Sequence, residues 1–223
     1  MRQFTLHHDD VTIPVSRGGR GRPLDRCPGL SSTQAYLREL AELLRRDHDV
    51  VTFDLRATAS RRRPAAGRGP GAALRRGAPG TVGRLVLVDG ANPVPEPFLT
   101  EADLPVFRAM RDAMAAENEA RRGTARQVLL TGPENLDLNV EIDEVRSHIL
   151  DRYRDIDCPI GMIMSTAMAG EGGEGLAVRC NRNWRAGVER LVRARPDIAT
   201  SWLDADHGLV FTHAPEIARI VSV

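Results

Sequence analysis

The sequence predicts an α/β fold, a mostly parallel sheet flanked by helices. Three observations carry this. The short runs Val50–Phe53, Leu85–Val88 and Ile160–Met164 are continuously apolar, the pattern of strands buried on both faces. Amphipathic helical stretches precede the first run and separate the second from the third. The chain of 223 residues is 42% hydrophobic and 27% charged, enough apolar surface for a sizeable core in one domain or in one domain with an inserted cap.

The elements follow in order. Phe4 to Val15 alternates and suggests an early hairpin, and the Gly/Arg-rich stretch Ser16 to Arg22 reads as a turn or loop. Pro23 to Leu30 is a short strand-like piece ending in a Pro-Gly turn. Ser31, Ser32 and Thr33 are placed to cap the next helix, in which Tyr36, Leu37, Leu40, Leu43 and Leu44 share one face. Val50–Phe53 closes a strand–helix–strand unit, a parallel crossover. Leu85–Val88 is a further strand, ending at Asp89-Gly90 before a Pro-rich turn over 92–97. Residues 101–156 read as helical, with Leu104, Phe107, Met110 and Met114 along one side. Ile160–Met164 is a strand, Trp184–Arg193 a helix with Val188, Leu191 and Val192 apolar, Ile198–Leu203 a last strand and Pro215–Val221 a last helix.

Composition removes several function classes. All 31 basic residues are Arg, so no lysine-based chemistry, Schiff bases included, is open to this chain. A net charge of +1 argues against a nucleic-acid or membrane-surface partner, and no apolar run approaches the roughly 20 residues of a membrane span. Met1 to Asp10 lacks the apolar core of a secretory leader. Cys27, Cys158 and Cys180 form no C-x-x-C pair, so neither a disulfide framework nor a zinc ribbon is indicated. His7 and His8, beside Asp9 and Asp10, would point to opposite faces of an extended segment, which disfavours a metal site. The expectation is a cytoplasmic chain with no metal and no cofactor.

One stretch breaks the pattern. From Arg61 to Gly80 every residue but Leu74 is Arg, Pro, Ala or Gly, and no acidic residue occurs between Asp54 and Asp89. Such a segment buries too little apolar surface to offset the entropy of ordering it. Three readings stay open: an Arg-rich anion-binding loop, a solvated linker, or a degenerated or frame-altered stretch, since these four residues are the ones with codons made only of G and C.

Pro23 to Leu44, Val50 to Ser60, Leu85 to Gly90 and Asp204 to Val221 together resemble the α/β-hydrolase family. Pro28-Gly29-Leu30 looks like its oxyanion-loop turn. Asp54-Leu55-Arg56-Ala57-Thr58-Ala59-Ser60 looks like its D-x-R-G-x-G-x-S segment, with alanines where glycines are usual. Asp206-His207-Gly208 followed by Ala214-Pro215-Glu216 looks like its catalytic-histidine segment. The resemblance implies a hydrolase core over 1–90 and 158–223, a helical cap over 91–157, and hydrolysis of small, apolar ester- or amide-type acyl substrates. It also implies a G-x-S-x-G nucleophile turn on a central strand, and the chain has none. The nearest match in place is Gly67-Arg68-Gly69-Pro70-Gly71, with Gly69 where the serine belongs and Pro70 lacking the N–H of the oxyanion hole. Only six residues separate Ser60 from Gly67, too few for a crossover helix, so the nucleophile strand is expected to be degraded or missing.

The catalytic candidates that the resemblance implies are His207 as general base and, as the carboxylate that orients it, Asp89 at the end of a strand or Glu171 beyond the strand Ile160–Met164. Gly29, Leu30 and Gly69 mark the oxyanion and nucleophile region. Ser165, at a strand end, is the best-placed substitute serine, and Ser31, Ser32, Ser60 and Cys27 are weaker ones; His213 reads as a helix-start residue. Three functions follow: a hydrolase by descent with impaired or lost activity, a non-catalytic small-molecule-binding protein in which Phe98, Leu104, Phe107 and Met110 line an apolar cleft, or a frame-altered or truncated hydrolase.

Overall fold

The structure, a computed structural model, describes residues 1–8, 11–30, 32–54, 82–172 and 175–223. The 61–80 stretch, with Gly69, lies outside the described residues, as do Ser31 and Ser60. The described residues fall into two units, one drawn from Met1–Arg68, Leu104–Leu138 and Ala214–Val223, the other from Gly69–Asp103 and Asn139–His213.

In the first unit, β1 (Arg2–His8) and β2 (Val11–Gly19) form the expected antiparallel hairpin, with Phe4 opposite Val15. Pairing does not stop at Ser16. β2 runs on to Gly19 because β4 (His48–Phe53) takes up its other edge, Ser16 opposite Thr52 and Gly19 opposite Asp49. The turn expected over 16–22 is thereby compressed to Arg20-Gly21. Gly19 has φ +107°, and a Cβ there would sit 2.0 Å from the His48 carbonyl oxygen, so glycine is required at that edge. β3 (Arg22–Arg26) pairs parallel with β4, giving the order β1-β2-β4-β3, and α1 (Arg38–Leu44) is the crossover between them.

α1 buries Leu40, Ala41 and Leu44 and packs on α6 (Ala214–Val221), whose Ala214, Ile217 and Ala218 are buried in turn. The expected Ser/Thr cap is not made. Two turns, Tyr36 N–H to Thr33 O and Leu37 N–H to Gln34 O, intervene before the helix, and the Thr33 hydroxyl instead donates to Ala125 O at 3.1 Å.

The helical stretch expected over 101–156 is two helices, α2 (Leu104–Ala120) and α3 (Gly132–Arg154). α3 starts with a capping box: the Thr131 hydroxyl accepts from Glu134 N–H at 3.4 Å, and the Glu134 carboxylate accepts from Thr131 N–H at 2.9 Å.

The second unit holds a three-stranded parallel sheet in the order β5 (Leu85–Val88), β6 (Ile160–Ser165), β7 (Ala199–Leu203). Every residue of central β6 is buried, as its unbroken apolar run requires. α4 (Leu176–Ala194) begins two turns earlier than the apolar spacing from Trp184 suggests. Cys180, Asn183, Trp184, Gly187, Val188 and Leu191 form its buried stripe, which joins Ile160, Met162 and Met164 in one core. Phe98, expected to line a cleft, is a core residue against Trp184. Beyond β7 lie the short α5 (Leu209–Thr212), in this unit, and α6, in the first.

The segment after β5 is bound tightly to α4. Asn92 Nδ2 donates to Trp184 O at 2.6 Å, and Asn183 both donates to Glu96 O at 2.7 Å and accepts from Glu96 N–H at 3.2 Å. The approach depends on Gly187, where a Cβ would meet Asn92 Oδ1 at 2.4 Å and Val94 Cα at 3.0 Å. Gly187→Ala gains about 1 kcal/mol of helix propensity, but overpacking a well-filled site costs about 1–3 kcal/mol or more. Because backbone as well as side chain must give way, the expected outcome is a net loss of about 1–2 kcal/mol, read by urea unfolding. An unchanged or higher midpoint would show that the 92–94 turn is free to move.

Candidate active site

β5 ends at Val88, and the next residue, Asp89, turns its carboxylate into the second unit, where it is only 3% exposed. Its N–H still pairs with Ile163 O at 2.8 Å, so the turn starts from strand register. Asp89 and Ala91 then adopt φ of +45° and +54°, a left-handed backbone uncommon outside glycine and costly for alanine. Tyr153 holds the bend by donating its hydroxyl to Ala91 O at 2.6 Å, beside the Asn92 bond to α4.

The bend aims Asp89 at donors from three other segments. Oδ1 accepts from Ser165 N–H at 2.9 Å, at the end of β6, and from Trp184 Nε1 at 3.1 Å, on α4. The Ser165 hydroxyl lies 2.9 and 2.8 Å from the two carboxylate oxygens. Oδ2 receives His207 Nδ1 at 2.7 Å. A carboxylate only accepts, so Nδ1 carries the hydrogen and the neutral ring keeps its lone pair on Nε2. The His207 side chain is 62% exposed and its ring meets Trp184 edge-on at 6.4 Å. The loop that carries it is tied to the end of β6: His207 N–H donates to Met168 O, Ala167 N–H to Ala205 O, and the Thr166 hydroxyl to Asp204.

A buried, fully hydrogen-bonded carboxylate behind an exposed imidazole can fix the ring's tautomer and stabilise its protonated form. The outer nitrogen is then able to take a proton from a hydroxyl or a water.

Of the residues singled out from the sequence, the structure brings Asp89 and His207 together. Glu171 is exposed in the bend beyond β6, and the carboxylate on the ring is that of Asp89, which leaves its strand directly beside β6. Ser165, weighed as a substitute nucleophile, is fully buried with its hydroxyl on Asp89, so it orients the carboxylate and is not poised to attack. His213 pairs with its neighbour, the Thr212 hydroxyl, at 2.9 Å. In the first unit Leu30 packs beside Val128 and Leu130, and Gly29 is exposed, accepting from Ser32 N–H through its carbonyl. The described residues contain no cluster of His, Cys, Asp or Glu able to hold a metal, and no described helix is long and apolar enough to cross a membrane.

Trp184, Ser165 and Tyr153 were not foreseen as supports of the site. A signal existed only for the first: an indole N–H in the middle of a buried stripe needs an acceptor. Tyr153 is testable through pH. Burial pushes its phenol pKa well above the ordinary value. The folded chain keeps that proton while the unfolded chain loses it near about pH 10, so stability present below that pH is lost as pH rises beyond it. Tyr153→Phe removes both the bond to Ala91 O and this alkaline loss. The expected outcome in urea unfolding is a deficit of about 1 kcal/mol at pH 7 that narrows above about pH 10. A deficit constant with pH would contradict the burial of the hydroxyl.

No protein-family model and no curated protein matches the chain. Solved structures do, over nearly its whole length. A haloalkane dehalogenase loop variant from Bradyrhizobium elkanii is 14% identical, with 99% of this chain and 95% of that one covered at a TM-score of 0.67. A bromoperoxidase from Bacillus anthracis is 14% identical, with 99% and 98% covered at 0.63. E-2-(acetamidomethylene)succinate hydrolase is 14% identical, with 99% and 97% covered at 0.63. Identity this low speaks to architecture alone, and the architecture is common to all three. This chain has the α/β-hydrolase fold.

Proposed function

We propose that this chain derives from an acyl hydrolase of ester- or amide-type substrates, that His207 and Asp89 are its base and orienting acid, and that hydrolysis is impaired or lost for want of a nucleophile. The observation that carries the reading is the 2.7 Å contact of His207 Nδ1 with a carboxylate that accepts from Ser165 and Trp184 as well. A surface histidine has no need of a buried, four-donor carboxylate; a general base does. Nε2 is left on the open side of the ring for a substrate, a hydroxyl or a water.

The missing part is equally specific. Gly69 stands where the nucleophilic serine belongs, and glycine has no group with which to form an acyl intermediate. Among the serines of the second unit, Ser165 is committed to Asp89. The ligand class in this reading is a small, apolar acyl compound, with residues 91–157 as its cap. The names of the similar structures span dehalogenation, peroxidation and hydrolysis, so the fold does not choose the substrate.

Hydrolysis of p-nitrophenyl acetate and butyrate by the chain and by its His207→Ala variant tests the proposal. The expected rates are equal, and a fluorophosphonate probe is expected to leave the chain unlabelled. A His207-dependent rate, or labelling of any serine, would overturn the loss of the nucleophile and identify the residue that replaces it.

A further inference from the structure

Behind the indole that holds Asp89 lies a half-buried cation. Arg146, on α3, places its guanidinium carbon 5.6 Å from the Trp184 ring centre and 5.3 Å from that of Phe98, while the two rings are 5.9 Å apart. Its side chain is 22% exposed. Its Nε is buried and makes no hydrogen bond among the described residues. Among the described residues its carboxylate contact is Asp143 at 3.8 Å, whose other oxygen is taken by Leu99 N–H at 2.9 Å. A buried guanidinium N–H without a hydrogen bond is costly. Ring faces and nearby negative charge must hold it there.

We propose that Arg146 is a positioning residue for the Asp89–His207 pair: stacked on the face of the indole whose N–H binds Asp89, it supplies the fixed positive charge that balances that buried carboxylate. The inference rests on reading the pair as a proton-transfer site. When His207 is neutral, as a base must be before it acts, the Asp89 charge has no cation in hydrogen-bond contact among the described residues. Arg146 supplies one at a distance and without competing for the carboxylate oxygens, which stay with His207, Ser165 and Trp184. Burial lowers the Arg146 pKa, and the charges of Asp143 and then Asp89 oppose that fall, so the attraction reaches the site carboxylate.

Among the described residues, neighbouring charges on other elements have partners of their own or are exposed. On the histidine's own loop, Asp204 is bonded to the Thr166 hydroxyl and Asp206 to Gly208 N–H. Glu171, beyond β6, is exposed. On α4, Arg179 is ion-paired with Asp103. The Cys180 thiol, pushed up mainly by burial, stays neutral near pH 7. On α3, Arg146 and Asp143 carry opposite charges, and that of Arg146 is the one coupled to Asp89.

The test is the titration of His207 in the full chain, followed by NMR of histidine-labelled protein at low ionic strength and assigned with His207→Ala. Arg146→Met removes a positive charge, which favours the protonated ring. The titration midpoint is expected to rise by about half a unit or more relative to the parent. Arg146→Lys, which keeps the charge, is expected to restore most of it. Asp143→Asn removes the competing negative charge and is expected to move the midpoint down. An unmoved midpoint in folded Arg146→Met, or equal shifts in the Met and Lys variants, would overturn the proposal. Should Arg146→Met fail to fold, an unmoved or raised midpoint in Asp143→Asn does the same. Asp89→Asn separates the two readings. If it leaves His207 unmoved, the pair itself is at fault; if it lowers the midpoint while Arg146→Met has no effect, only the role of Arg146 fails.

Discussion

One buried carboxylate organises the second unit. Asp89 belongs to the turn after β5, yet its oxygens are shared among the end of β6, the middle of α4 and the loop beyond β7. Leaving water costs a carboxylate several kcal/mol, and only a complete set of donors offsets that. The requirement explains features that look unrelated along the chain. The left-handed backbone at Asp89 and Ala91 aims the side chain. Tyr153, Asn92 and the absent side chain of Gly187 hold that backbone down. Replacing any one donor would leave the charge partly unpaired, so these residues act as a set.

Much of the architecture was legible because it depends on local pattern. The unbroken apolar run of β6 and the alternation of the first hairpin signal their own environments. The helix boundaries were harder. Ser32 and Thr33 have cap chemistry, but a hydroxyl bonds whatever backbone comes near, and Thr33 found Ala125, 92 residues away. Conversely Thr131-Gly132-Pro133-Glu134 is a readable capping box that divides the 101–156 stretch, and helical periodicity alone passes over it.

At the site, the strand-end position and the family resemblance pointed to Asp89 and His207. The rest of the carboxylate's shell was not readable from one sequence. Ser165 and Trp184 lie 76 and 95 residues from Asp89, and nothing local distinguishes a buried serine that orients a carboxylate from one that merely ends a strand. Arg146 was hidden for a related reason. In a chain with 31 arginines, one more on a mixed-charge helix carries no signal until its neighbours are known to be rings. The described donors to Asp89 come from residues 165, 184 and 207.

The central claim is that Asp89 fixes the hydrogen of His207 on Nδ1 and leaves Nε2 as the basic nitrogen. Nitrogen-15 NMR of the imidazole rings above the titration of His207 measures this directly. The account predicts a protonated Nδ1, with its hydrogen shifted far downfield by the carboxylate, an unprotonated Nε2, and loss of the downfield signal in Asp89→Asn. A ring protonated on Nε2, or a downfield signal unchanged by Asp89→Asn, would contradict it.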